Sequence, residues 1–139
     1  MGTHAADGAQ AQLSGFDLLY GLELLELTDQ GARAQVPVSE RLLQPAGLVH
    51  GGVYATIAES ITTLATSAAS GSASHGQTNS TSFMRPITHG TIHASAAAVH
   101  RGRTTWVWEV RFTDDEGRLC SITRMTVAVR RDAVPAAHA

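Results

Sequence analysis

Lysine is missing from this chain of 139 residues, whose ten basic residues are all arginine. Its absence excludes chemistry through a lysine Schiff base and a phosphate-binding loop that relies on lysine. The single cysteine, Cys120, excludes an internal disulfide and a cysteine-rich zinc site. We expect Cys120 to lie in the core of a protein that works in a reducing, cytoplasmic compartment.

Charged residues are scarce as well, at 16% of the chain, whereas apolar residues make up 43%. This composition excludes a disordered chain and leaves so little charge for the surface that we expect an oligomer. No apolar run approaches the ~20 residues that span a bilayer. Residues 1–12 do not have the cationic start and apolar core of a signal peptide. We therefore expect no membrane partner.

The arginines are concentrated in the second half of the chain. Residues 85–139 contain eight arginines and five acidic residues, whereas residues 1–84 contain two arginines and seven acidic residues. A basic half of this kind favours a small anionic ligand. It is too sparse for the dense basic surface that binds nucleic acid, so we expect no nucleic-acid partner.

The hydrophobic pattern predicts an α+β fold with one long helix. Residues 51–69 contain no proline, and apolar residues recur in them at helical spacing. Most other segments alternate with period two or are interrupted by turn residues, and the predicted strands include residues 18–27, 32–38, 105–112 and 119–130. Because the later connections have hairpin length, we expect an antiparallel sheet of about five to six strands wrapped around the helix.

The length suits one domain, which we place at residues 16–132. The small and polar residues at the two ends predict a flexible N-terminus over 1–15 and a flexible tail over 133–139.

Glu59 is the most informative residue of the predicted helix, because it is the only Asp, Glu, Lys or Arg between Gly51 and Met84. Its side of the helix is formed by small or hydroxyl-bearing residues, Ala55, Thr62 and Thr66. A surface helix of this length normally carries several charges. We therefore predict that Glu59 is an isolated carboxylate in a largely enclosed place, which is costly and typical of functional groups.

The start of this helix is a second candidate. His50, Gly51 and Gly52 form its entrance, where the first N–H groups have no intrahelical acceptor and lie at the positive end of the dipole. A carbonyl oxygen bound there would be polarised as in an oxyanion hole. Gly51 and Glu59 are ~12 Å apart along the helix axis. A neighbouring subunit would therefore have to supply one of the two groups.

The motifs of the chain resemble those of a known family. They are residues 44–52 (QPAGLVHGG) with 58–60 (AES), 79–86 (NSTSFMRP), 102–108 (GRTTWVW) and 114–120 (DDEGRLC). The set is similar to hotdog-fold acyl-CoA thioesterases of the branch that contains 4-hydroxybenzoyl-CoA and 1,4-dihydroxy-2-naphthoyl-CoA thioesterases and phenylacetate-pathway relatives. The likeness extends from about Gly21 to Arg131.

The resemblance implies a hotdog fold in a homodimer, with two active sites across the interface, and such dimers usually form tetramers. It implies that Glu59 comes from the partner of the subunit whose Gly51 N–H binds the thioester carbonyl, with His50 holding the helix entrance. Gln44 matches a position near the reacting carbonyl, and Thr63 matches one near the attacking water. Positions near the nucleotide end of coenzyme A match Arg85, Arg103, Thr104, Arg130 and Arg131.

One departure concerns the acyl pocket, because Ala46 stands where close relatives often carry an aromatic residue. It leaves the size and the aromatic preference of that pocket open.

The predicted reaction is hydrolysis of an acyl-CoA thioester, with an aromatic acyl group favoured by the resemblance. The chain has no G-x-S-x-G elbow and no H-E-x-x-H pair, so we expect neither a serine nucleophile nor a metal ion, and no cofactor. Glu59 remains, either as general base on water or as nucleophile through a short-lived anhydride. The alternatives are a hotdog dehydratase that pairs His50 with an acid, and a non-catalytic acyl-CoA-binding protein.

Overall fold

A six-stranded antiparallel sheet packs against one long helix in the computed structural model, which describes residues 3–130. The helices are α1 (Thr3–Ala11), α2 (Phe16–Leu19) and α3 (Gly51–Ser70), with a 3-10 turn at Glu40–Leu42. The strands are β1 (Glu23–Leu27), β2 (Gly31–Pro37), β3 (Ser74–Phe83), β4 (Thr91–Arg101), β5 (Thr105–Thr113) and β6 (Leu119–Val129). They lie in the order β1-β2-β4-β5-β6-β3, and every neighbouring pair is antiparallel. The predicted architecture is confirmed.

Helix α3 has clear signals at both ends. His50 is the N-cap, and its Nδ1 accepts a hydrogen bond from the Gly52 N–H at 2.8 Å. Gly71 ends the helix with a φ of 71°, and its N–H donates to the Ser67 carbonyl at 3.0 Å. Glycine suits this left-handed conformation because it has no Cβ to clash. Although α3 has 20 residues, no helix within residues 3–130 is both long and apolar enough to cross a membrane.

The buried face of α3 includes two threonines. Its members are Tyr54, Ile57, Ala58, Ile61, Thr62, Ala65 and Thr66. Thr62 and Thr66, which helical spacing places on the side of Glu59, are both in the core. Each hydroxyl donates to the carbonyl oxygen four residues earlier at 2.7 Å, which satisfies the polar group and allows it to be buried.

Thr66 also accepts a hydrogen bond from the indole Nε1 of Trp108 at 2.9 Å. Both side chains are fully buried, so Thr66→Val would leave an unpaired indole N–H in the core. We expect this variant to lower the free energy of unfolding by ~1–3 kcal/mol, as measured by chemical denaturation. Thr62→Val is the matched control, because it removes a buried hydroxyl without touching Trp108. Equal losses in the two variants would contradict the role given to the indole bond.

Strand β5 follows the predicted alternation. Its inward residues Trp106, Trp108, Val110 and Phe112 are all buried, and the two indole rings stack with centroids 6.0 Å apart. Cys120 is buried too, and burial raises the pKa of its thiol. A buried thiol of this kind is a packing residue and not a nucleophile, so the core prediction for Cys120 is confirmed.

The first part of the chain contains two helices that the sequence pattern does not predict. Helix α1 packs against β1. The side-chain oxygen of Gln10 accepts the Leu24 N–H at 2.7 Å, and its side-chain N–H donates to the Leu22 carbonyl at 3.1 Å. Helix α2 overlaps the first residues of the strand predicted over 18–27, and the observed strand β1 begins only at Glu23. Gly21, between the two elements, has a φ of 85°, a turn conformation that an apolar pattern does not indicate. The predicted tail over 133–139 lies outside the described residues.

Strand β3 forms one edge of the sheet. It pairs with β6 only, and most of its residues are exposed. Across the described part of the chain its other side has no partner strand, so a row of backbone N–H and C=O groups is available for pairing.

Candidate active site

Strand β3 runs antiparallel to helix α3 and contacts it along its length. The contacts, in strand order, are Ser74 with Thr63, Gly76 with Glu59, Asn79 with Ala55, and Phe83 with Gly51. A Cβ added at Gly76 would lie 3.5 Å from Glu59 Cγ, and the Asn79 amide donates to the helix backbone at 2.9 Å. Glu59 and Gly51 therefore lie beside opposite ends of the same edge strand.

At the entrance of α3, the backbone N–H of Gly51 is available as a hydrogen-bond donor. His50 uses its imidazole to accept the Gly52 N–H and its carbonyl to accept the Val53 N–H at 2.9 Å. The Gly51 N–H, in contrast, has no intrahelical acceptor. A Cβ added at Gly51 would lie 2.5 Å from Phe83 Cζ, so the ring rests directly on the helix start. A residue with a Cβ at this position would have to displace the ring.

A surface cavity of about 310 Å³ opens beside this entrance. Its lining includes Gln44, Gly51, Tyr54, Phe83, Met84 and Arg85, so the structure brings together three predicted site residues. Gln44 begins a turn over residues 44–47, in which its side-chain oxygen accepts the Ala46 N–H and its carbonyl accepts the Gly47 N–H at 2.9 Å. Burial raises the pKa of Tyr54 to about 12, so its phenol is a neutral donor at physiological pH.

Glu59 is exposed in the single chain, and the prediction of an enclosed carboxylate is wrong for one protomer. The physical reason is that β3 meets it through Gly76, which has no side chain to cover it. One turn later, the Thr63 hydroxyl is buried and has no hydrogen-bond partner within residues 3–130. Because Thr63 and Glu59 are four residues apart, they lie on neighbouring sides of α3.

A second carboxylate, Asp17, contacts Ser60, the residue that follows Glu59, and was not predicted. The Ser60 hydroxyl donates to its Oδ1 at 2.6 Å, and the Tyr20 hydroxyl donates to the same oxygen at 3.0 Å. No signal in the sequence links Asp17 to Ser60, because 43 positions separate them and the pattern predicts a strand where α2 forms.

The predicted coenzyme A residues are not brought together within one chain. Arg85 lies at the cavity, just after the end of β3. Arg103 and Thr104 lie in the turn between β4 and β5. Arg130 follows β6, and its backbone N–H donates to the carbonyl of Ala73, just before β3, at 2.9 Å. These three residues are therefore at the other end of the sheet, beside the first residues of β3. Arg131 lies outside the described residues.

The site as described contains no cluster of metal ligands. Among residues 3–130, no group of three or more His, Cys, Asp or Glu side chains is arranged to hold a metal ion.

A family model, related sequences and a solved structure all match this chain. Residues 46–121 match the family model described as Thioesterase superfamily. "Putative esterase Rv1847" of Mycobacterium tuberculosis is 42% identical over 109 residues, which cover 75% of this chain and 78% of that protein. The solved structure of that esterase has a TM-score of 0.80 at 39% identity, covering 83% of this chain and 95% of the other. The 1,4-dihydroxy-2-naphthoyl-CoA hydrolase of Listeria monocytogenes is 31% identical over 119 residues, covering 84% of this chain and 97% of that protein.

Proposed function

This chain belongs to the thioesterase superfamily and has the hotdog fold, and on that premise we propose that it hydrolyses an acyl-CoA thioester to a free acid and coenzyme A. The main support is the placement of Glu59 and Gly51 beside opposite ends of the edge strand β3, which within residues 3–130 is paired on one side only. The Listeria relative, whose name is that of a CoA-thioester hydrolase, supports the substrate class. The free, buried Cys120 fits the cytoplasm as the compartment.

Pairing of two copies through β3 would complete the site. A free edge strand pairs readily with an identical strand, and a twofold axis makes that pairing antiparallel. With the axis near the strand centre, between Asn79 and Ser80, the Glu59 end of one copy lies opposite the Gly51 end of the other. Each of the two sites then combines Glu59 from one copy with Gly51 from its partner. The same pairing encloses the exposed carboxylate, and we propose that such dimers associate into tetramers.

The chemistry follows from the groups that meet there. The thioester carbonyl oxygen accepts the Gly51 N–H, which stabilises the negative charge that develops on it. His50 holds the neighbouring N–H and so keeps the helix entrance open for this one contact. Gln44 lies in the same cavity, near the carbonyl.

Glu59 then acts in one of two ways. As general base, it takes a proton from a water held by the Thr63 hydroxyl, and the water oxygen bonds to the carbonyl carbon. The C–S bond then breaks, and the proton passes to the thiolate. As nucleophile, it bonds to the carbonyl carbon itself and expels the thiolate, and water hydrolyses the resulting anhydride. Both routes consume one water and release one acid and one thiol.

The acyl group that we propose is aromatic. The cavity at Gly51 is lined by Tyr54, Phe83 and Met84, and the two rings have centroids 6.0 Å apart, an apolar and aromatic wall for a flat acyl group. Thiol release measured with benzoyl-, 4-hydroxybenzoyl-, phenylacetyl- and medium-chain acyl-CoA tests this, and we expect the highest kcat/KM among the aromatic substrates. Hydration of crotonyl-CoA without thiol release, or tight acyl-CoA binding without turnover, would contradict the proposal.

If each active site combines groups from two copies, two inactive variants should recover activity when they are paired in one dimer. Chains carrying Glu59→Gln and chains carrying Gly51→Pro should each be nearly inactive alone. In a mixed dimer, one of the two sites has both original groups and the other has neither. Co-expression with two affinity tags isolates mixed dimers, whose thiol release we expect to approach half of the original rate per dimer. Mixed dimers as inactive as the parents would rule out a site built from two copies.

The arginines fit the phosphates of coenzyme A, because guanidinium groups bind phosphate well. The antiparallel pairing would bring the Arg85 end of one copy toward the end of the other that carries Arg103, Thr104 and Arg130, and we include Arg131 in that group.

Arg85→Ala is expected to raise KM about tenfold, the equivalent of one charge-assisted hydrogen bond of ~1.5 kcal/mol, and to change kcat much less. Steady-state kinetics measures the two constants separately. Arg111→Ala is the matched control, since Arg111 faces Glu109 at 3.5 Å on β5, away from the proposed site. A selective loss of kcat in Arg85→Ala would argue against a role in coenzyme A binding.

A further inference from the structure

Asp17 links helix α2 by hydrogen bonds to the turn of α3 that carries Glu59. Its Oδ1 accepts two hydrogen bonds, from Ser60 at 2.6 Å and from Tyr20 at 3.0 Å, and Ser60 directly follows Glu59. Tyr20 is only 7% exposed, and burial raises the pKa of its phenol above the usual range, with further contributions from the charges of Asp17 and Glu59. The phenol is thus a permanent donor within electrostatic reach of both carboxylates.

Ser60 differs from three threonines of the same helix in the acceptor of its hydroxyl. Thr56, Thr62 and Thr66 all donate to the helix carbonyl four residues earlier, at 2.7 Å. Ser60 instead turns its hydroxyl away from its own helix and donates to Asp17. Since the local alternative is available to serine in a helix, the bond to Asp17 is a specific tertiary contact.

We propose that Asp17 is a positioning residue for thioester hydrolysis, which acts through Ser60 to fix the turn of α3 that carries Glu59. This inference rests on the proposed function of Glu59. On its other flank Glu59 lies beside Gly76, which has no side chain to restrain it, and the Asp17–Ser60 bond is a side-chain contact that restrains this turn from the α2 side. A displacement of about 1 Å at a reacting group can lower a rate about 100-fold, so such a restraint has a measurable effect on turnover.

The acceptor geometry of Asp17, and not its charge, is the property that matters in this proposal. Both bonds end on the same oxygen, Oδ1, and the amide oxygen of asparagine has the same shape and can accept both. Asp17→Asn should therefore retain most of the turnover. Asp17→Ala removes the acceptor and should lower kcat by about 10- to 100-fold with little change in KM.

The experiment measures kcat and KM for Asp17→Asn, Asp17→Ala, Ser60→Ala and the Asp17→Ala/Ser60→Ala double variant, with thermal unfolding of each. We expect Ser60→Ala to resemble Asp17→Ala, and the double variant to be no slower than either, because the two side chains form one contact. Ser60→Ala removes only a hydroxyl and remains informative if Asp17→Ala fails to fold. Asp29→Ala is the control for loss of an aspartate; this exposed residue lies 3.9 Å from Arg101, and its variant should keep the original kcat.

A second series in the Glu59→Gln background separates positioning from general destabilisation. If Asp17 acts on Glu59, adding Asp17→Ala there should leave the residual turnover unchanged. An equal loss of kcat in both backgrounds, an unchanged kcat in Asp17→Ala, or an Asp17→Asn variant as slow as Asp17→Ala would each overturn the inference. A Glu59→Gln variant with the original turnover would instead overturn the proposed function on which the inference rests.

Discussion

Glu59→Gln is expected to lower kcat for acyl-CoA hydrolysis by ~10²–10⁴-fold and to leave the fold intact. A glutamine amide keeps the size of the side chain, but it neither takes a proton from water nor attacks a carbonyl carbon. The exposed position of Glu59 in the single chain means that the protomer loses no buried contact. Thiol release measures turnover, and thermal unfolding with size-exclusion chromatography checks the fold and the assembly.

Glu109→Gln is the matched control for this variant. Glu109 lies on β5 between two arginines, at 3.5 Å from Arg111 and 4.0 Å from Arg124, and has no place in the proposed site. Its substitution should leave kcat unchanged. Turnover of Glu59→Gln at the original rate, in a properly assembled protein, would remove Glu59 from the mechanism.

Gly51→Pro is expected to lower kcat by a further ~10²–10³-fold relative to Gly51→Ala, because only proline removes the backbone N–H of the proposed oxyanion contact. Proline suits the first position of a helix, whose N–H has no intrahelical acceptor. His50, which precedes it, already has the extended conformation that proline requires of its neighbour, with φ of −63° and ψ of 136°.

Alanine is the necessary control, because both substitutions add a Cβ that would lie 2.5 Å from the Phe83 ring. That ring is 61% exposed, so it can move aside for either residue at a similar cost. The comparison of proline with alanine therefore isolates the N–H group. Equal kcat values for the two variants, with both proteins folded, would exclude the Gly51 N–H as the donor.

The long helix was predictable because its signals are local. Hydrophobic spacing locates α3 within one residue at its end, and a cap residue followed by glycines marks its start. The alternation of β5 and the burial of Cys120 were predictable for the same reason. Helix α2 was not, since a continuous apolar run fits a strand and a buried helix equally well, and the turn at Gly21 depends on a backbone angle that the pattern does not encode.

The burial of the residues around Glu59 was predicted only in part. Helical spacing places Thr62 and Thr66 on the side of Glu59, and the structure buries both threonines while the Glu59 side chain is exposed. Their hydroxyls are satisfied by the helix backbone and, for Thr66, by Trp108. A threonine paired in this way behaves as an apolar residue, and the hydrogen bonds that make it so are visible only in the folded chain.

The amino-acid sequence by itself determined the class of fold, the single long helix, its glycine entrance and the lone acid in its middle, because periodicity and capping act over a few neighbouring residues. Only the tertiary structure decided that β3 is an edge strand, that it runs beside both Gly51 and Glu59, and that Asp17 reaches Ser60 across 43 positions. These contacts join residues distant along the chain, and their partners are selected by the packing of the whole sheet on the helix.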